Sequence, residues 1–77
     1  FDVVILDPPR AGAITQVTSL GKSNVKKIIY ISCNIQTFLR DSQILLSHGY
    51  KIKYILPIDQ FLYTSHLEIF SVFEIFN

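Results

Sequence analysis

Two short runs of β-branched and aromatic residues, Phe1-Asp2-Val3-Val4-Ile5-Leu6 and Ile28-Ile29-Tyr30-Ile31, dominate the first half of the chain. Each is too short for a buried helix, and each stops on a polar cluster: Asp7-Pro8-Pro9-Arg10 after the first, Ser32-Cys33-Asn34 after the second. Both suit strands buried on both faces. The stretch between them sets Ile14, Val17 and Leu20 at spacings of three between Gly12 and Gly21, which predicts one short helix. A strand, a crossover helix and a second strand predict a parallel pair.

From Ile35 the period becomes helical. Phe38, Leu39, Ser42, Leu45 and Leu46 form one stripe, with Gln36, Arg40 and Gln43 away from it, and Gly49 stands where a helix stop is expected. Tyr50 to Leu56 then alternates Tyr50, Ile52, Tyr54 and Leu56 with Lys51 and Lys53, the pattern of an edge strand with one wet face. Pro57 is expected to close it. After a loop around Asp59 to Ser65, His66 to Phe76 alternates with apolar residues on both faces, as a strand with neighbours on either side would. The last two strands have no helix between them and are expected to be antiparallel. The class is α/β in the order β-α-β-α-β-β, as one domain over residues 1–77.

The chain has 77 residues, 49% hydrophobic and 17% charged, against about 25% charged for an ordinary soluble domain. So small a unit has little interior for so many apolar side chains, so some apolar surface is expected to need a partner. With no Met and an opening inside an apolar run, the sequence reads as a piece of a longer chain. Every apolar run is broken well short of a membrane span, and no signal-peptide pattern opens the chain, so a cytoplasmic protein away from membranes is expected. The single Cys excludes an internal disulfide and an all-Cys metal site. A net charge of +1 gives no footprint of a self-sufficient nucleic-acid binder. If RNA is a partner, the basic surface lies elsewhere.

Open α/β sheets bind ligands at the carboxyl ends of their strands. Asp7 and Cys33 share that edge if the first two strands are parallel, and an antiparallel final strand brings the amino end carrying His66 and Glu68 to it. Cys33 has two readings. Free Cys is often a small core residue, but a position just ahead of a helix start faces oriented amides that favour an anionic nucleophile. Asp7 can cap a turn or line a pocket, and Pro8-Pro9 beside it makes a rigid wall suited to a planar ring. Glu68 is either an exposed carboxylate at a strand start or, with His66, Phe70 and Val72 on its face, a general base. His66 is a structural hydrogen-bonding residue unless a partner appears, and no metal-ligand spacing is present.

Taken together, Asp7-Pro8-Pro9-Arg10-Ala11-Gly12, then Ser32-Cys33-Asn34-x-x-Thr37-x-x-Arg40-Asp41, then Asp59-Gln60-Phe61-x-x-Thr64-x-His66-x-Glu68, resemble the three C-terminal motifs of the RNA uracil-5-methyltransferases, in order, across residues 1–76. The resemblance implies the C-terminal part of a class I, Rossmann-like methyltransferase sheet with an antiparallel final strand. It implies S-adenosyl-L-methionine as cofactor and transfer or ribosomal RNA as substrate. By position, Cys33 matches the nucleophile that adds to carbon 6 of uracil, Glu68 the base that takes the carbon 5 proton, and Asp7 an acidic residue of the cofactor pocket. Pro8, Pro9, Arg10, Asn34 and His66 are candidate substrate-pocket residues, and no metal is expected in this segment. The cofactor-gripping Gly-rich turn and the RNA-binding region would lie upstream, which makes that N-terminal part the expected partner.

Two positions depart from the family pattern, Ile35 and Leu62, where proline is usual. Freed φ angles would loosen the loops holding Cys33 and preceding Glu68. Two further readings stand beside the resemblance. An amino-group methyltransferase would use Asp7-Pro8-Pro9, but there an aromatic residue follows where Arg10 stands, and Cys33 has no task. An inactive remnant would keep the motifs and lose the activity.

Overall fold

In the computed structural model, which describes residues 3–9, 11–23, 25–59 and 67–75, both apolar runs form strands. They are β1 (Val3–Leu6) and β2 (Lys27–Ser32), parallel, with Leu6 beside Tyr30 and helix α1 (Ile14–Gly21) between them in sequence. Helix α2 (Ile35–Ser47) follows, then β3 (Lys51–Asp59) and β4 (Leu67–Glu74). The sheet order is β1-β2-β4-β3. The last strand in sequence therefore enters between two earlier ones, antiparallel to both. This is the small α/β unit with a mixed sheet that the pattern predicts.

One sheet face carries the core. Ile28, Tyr30 and Ser32 of β2 pair with Phe73, Ser71 and Ile69 of β4, and all six are buried. Both helices pack on that face, contributing Val17 from α1 and Phe38 and Leu45 from α2. The Phe38 ring meets Tyr30 edge-on, with centroids 5.7 Å apart. Ser71 Oγ donates to the Tyr30 carbonyl at 2.8 Å, so a hydroxyl inside the core is satisfied. Among the described residues no buried side-chain nitrogen or oxygen lacks a hydrogen-bond partner, as a stable interior requires.

Helix α2 ends as the sequence predicts. Gly49 takes φ +96°, its N–H donates to the Leu46 carbonyl at 3.1 Å, and Tyr50 N–H reaches the Leu45 carbonyl at 3.2 Å. This is the Schellman arrangement, and it aims Tyr50 into the core, where its hydroxyl donates to the Val25 carbonyl at 2.5 Å.

Several expectations are corrected. Among the described strands β1 stands at one edge, where Val3 is 43% exposed and Ile5 65%, so its apolar side chains are not covered on both faces within this segment. Pro57 does not close β3, which runs on to Asp59 with Pro57 opposite Ile69. The cause is position, because an edge strand can spare the amide hydrogen that proline lacks. Nor does β3 keep one buried face, since residues 51–58 are all exposed. A bulge between Ile52 and Tyr54 breaks the period, so Ile52 sits opposite buried Phe73 while Tyr54 and Leu56 share the far face with Val72 and Phe70. On α2 the buried stripe is Phe38, Asp41, Ser42 and Leu45, with Leu39 and Leu46 exposed.

Gly49→Ala is expected to cost about 1–2 kcal/mol, from left-handed backbone alone, because the added Cβ would stand an unstrained 3.4 Å from Ile75 Cδ1. A lower urea midpoint with unchanged slope is the expected result, and an unchanged midpoint would remove Gly49 from the helix stop.

Candidate active site

The motif Ser32-Cys33-Asn34-x-x-Thr37 joins the end of β2 to the start of α2, and the structure gives each polar member a task. Ser32 Oγ accepts from Asn34 N–H at 3.1 Å and donates to the Asn34 carbonyl at 2.9 Å. Asn34 is the N-cap, with Oδ1 accepting from Gln36 N–H at 2.9 Å and Thr37 N–H at 3.4 Å. Thr37 Oγ1 returns to the Asn34 carbonyl at 3.2 Å. These bonds fix the backbone on both sides of Cys33, whose free thiol is half-buried. Ile35, where the family pattern has proline, is the first helical residue. Proline is favoured there for its preset φ, and here the Asn34 cap is kept without it.

Register places Glu68. Ser32 pairs with Ile69 at the end of the antiparallel β2–β4 ladder, so Cys33, just past β2, and Glu68, just before Ile69, both lie next to that last pair. On the same far face, Ile31 and Phe70 form the next pair inward, and Ile58 of β3 lies opposite Glu68 on its other side. Cys33 and Glu68 thus lie near one end of the β2–β4 ladder, beside an apolar sheet face. Glu68 is half-buried. Asp7 follows the end of β1 at the same edge, exposed, with Pro8 half-buried and Pro9 exposed. Arg10 and His66 lie outside the described residues, as does Leu62.

A feature that hydrophobic pattern alone does not reveal lies behind this edge. Asp41 is fully buried, and its Oδ2 accepts from Ala13 N–H at 2.8 Å and from the Tyr30 hydroxyl. Its Oδ1 accepts from Arg40 Nε at 3.0 Å and Arg40 Nη2 at 2.9 Å. Arg40 Nη2 also donates to the Ala11 carbonyl at 3.0 Å. Gly12 N–H donates to the Pro9 carbonyl at 2.8 Å, which links this cluster to Pro8-Pro9. Gly12 has φ +85°, and a Cβ there would stand 2.9 Å from Asp41 Oδ2 and collide with the Arg40 guanidinium. The signal was in the sequence, since Asp41 lies three residues after Phe38 and four before Leu45, on the core side of the helix.

With this geometry, comparison with known proteins becomes decisive. The tRNA (uracil-5-)-methyltransferase family model matches residues 1–74. The chain belongs to this family. It is 51% identical over 74 residues to an uncharacterized RNA methyltransferase of Rhizobium meliloti, covering 96% of this chain and 18% of that one. It is 46% identical over 72 residues to another of Caulobacter vibrioides, covering 94% of this chain and 17% of the relative. The Histophilus somni protein named 23S rRNA (uracil(1939)-C(5))-methyltransferase RlmD is 47% identical over 74 residues, covering 96% of this chain and 17% of its own length. The chain thus spans less than a fifth of the curated relatives it matches. Among the described residues, no group of three or more His, Cys, Asp and Glu could hold a metal ion, and no helix is long and apolar enough to cross a membrane.

Burial, then the hydrogen bond from its hydroxyl to Asp41 and that carboxylate's charge, push the Tyr30 phenol well above its usual range. In the unfolded chain a tyrosine ionises near pH 10. Above that pH the unfolded state loses this proton while the folded state keeps it, so folding stability is full below about pH 10 and falls by up to about 1.4 kcal/mol per unit beyond it. Tyr30→Phe is expected to cost about 1–2 kcal/mol at neutral pH, since Asp41 loses a donor, and to flatten the alkaline loss. Urea titrations on both sides of pH 10 read both effects, and an equally steep alkaline loss in the variant would refute the assignment.

Proposed function

We propose that the chain forms the part of an S-adenosylmethionine-dependent RNA methyltransferase that acts on carbon 5 of a uridine, with Cys33 as nucleophile and Glu68 as base. The observation that supports this reading is the β2–β4 register, whose last pair, Ser32–Ile69, has Cys33 and Glu68 as its neighbours at one sheet edge in a chain of this family. Uracil carbon 5 is too weak a nucleophile to take a methyl group unaided. Addition of the Cys33 thiolate to carbon 6 moves electron density onto carbon 5 as an enolate. S-adenosylmethionine supplies the methyl group that this carbon accepts. Glu68 then takes the carbon 5 proton, the ring double bond re-forms, and the Cys33 thiolate leaves. A flipped-out base fits this geometry, because a ring inside a duplex cannot present carbons 5 and 6 to one thiol and one carboxylate.

Asp7 fits the cofactor as an exposed carboxylate at the carboxyl end of β1, where a positively charged ligand would be met. Pro8 and Pro9 stand beside it as a wall. Asn34, as cap, shapes the loop at Cys33. In this reading the four strands belong to a larger Rossmann-like sheet, and the rest of the cofactor grip and the RNA surface come from further chain, in a cytoplasmic setting. An amino-group methyltransferase would leave Cys33 and Glu68 without a task.

A chimaera tests the reading, with residues 1–74 replacing the matched segment of the Histophilus somni relative. RNA containing 5-fluorouridine should trap a covalent complex, because fluorine cannot leave as the proton does. Cys33→Ala should abolish that band on a denaturing gel, and an undiminished band would overturn the nucleophile. Glu68→Gln should lower turnover on ordinary RNA by about 10²–10⁴ while a methylated covalent complex accumulates. Normal turnover would remove Glu68 from the role of base.

A further inference from the structure

Asp41 occupies a position on α2 where an apolar residue would serve the core. A fully buried carboxylate costs several kcal/mol in desolvation, and ion pairs of this kind are poor stabilisers compared with packed apolar side chains. What the carboxylate does gain is convergence. Donors reach it from three separate places: the Ala13 amide at the end of the loop after β1, the Tyr30 hydroxyl on β2, and the Arg40 guanidinium on its own helix. An apolar residue could fill the space but could not set the loop to within a hydrogen bond.

The loop so held carries the Asp7-Pro8-Pro9 segment. Arg40 takes the Ala11 carbonyl, Asp41 takes the Ala13 amide, and the Gly12 amide takes the Pro9 carbonyl. The α2 end of the clamp is equally firm, because the helix that bears Asp41 begins at the Asn34 cap, directly after Cys33. Gly12 completes the arrangement by its missing Cβ, without which the loop could not approach Arg40 and Asp41. We infer that Asp41 is a positioning residue, whose buried carboxylate locks the Ala11-Gly12-Ala13 segment to helix α2 and, through the Gly12–Pro9 hydrogen bond, so fixes Asp7 and Pro8-Pro9 relative to Cys33. This rests on the reading of Cys33 as nucleophile, and it assigns Asp41 no contact with substrate.

Two measurements test it. In the 77-residue chain, Asp41→Asn keeps the volume and loses the charge. Hydrogen exchange at the Ala13 amide should then quicken about tenfold or more, the expected loss for a bond to a charged acceptor, while Ile69–Phe73 amides of β4 change far less. Equal acceleration everywhere would mean general destabilisation and would overturn the inference. In the chimaera, the 5-fluorouridine end point counts competent sites, and the rate per competent site reads their geometry. Positioning requires a slower rate per site with RNA affinity kept, whereas a merely structural role lowers the count and leaves the rate, which would overturn the inference. Should Asp41→Asn fail to fold, Arg40→Met, at a side chain that is 41% exposed, should show the same pattern to a smaller degree. A wild-type chimaera with no adduct would end the nucleophile reading, and the exchange result would still decide whether Asp41 holds the loop.

Discussion

Insertion of β4 between β2 and β3 is the constraint on which the rest of the molecule depends. Six backbone pairs tie β4 to β2, from Lys27–Glu74 to Ser32–Ile69, and the ladder on its other side ties it to β3. Because side chains alternate with a period of two, this register decides at once which residues enter the core and which face away. Ile69, Ser71 and Phe73 go to the helices; Glu68, Phe70 and Val72 go to the other face. A slip of one residue would bury Glu68 and turn Phe73 outward. The same hydrogen bonds that secure the core therefore also fix the sheet edge near which Glu68 and Cys33 lie.

A second layer of order comes from polar groups placed where the backbone would otherwise be loose. Around Cys33 these are short-range, with Ser32, Asn34 and Thr37 closing one turn among themselves. Around Asp41 they are long-range and reach across three elements. The surface pair Lys27–Glu74, at 3.2 Å, is of another kind and adds about 0–1 kcal/mol.

Much of this was legible in the sequence. The order of elements, the antiparallel final strand and the stop at Gly49 follow from apolar period and turn chemistry, which are local. So does the placing of Cys33 just ahead of a helix. What the sequence hid depends on neighbours. Val3 and Ile5 read as buried because their residue types are apolar, but exposure is set by what lies beside β1, and β2 is its only partner among the described residues. Pro57 reads as a strand end until β3 is known to be an edge. The bulge at Ile52–Tyr54 exchanges faces in mid-strand, and no count of alternation reveals it. At the site, three motifs pointed to one edge, but the register that brings Glu68 near the end of β2 came only with the structure, and the hydrogen bonds of Asp41 needed the loop it meets.

The sheet order also bears on how the chain comes together during synthesis. A ribosome delivers β1, β2 and β3 before β4, so β2 and β3 must wait, unpaired with each other, for a strand that arrives last and lands in the middle. The Cys33 turn and its capped helix would be made well before the strand that carries Glu68 exists in place.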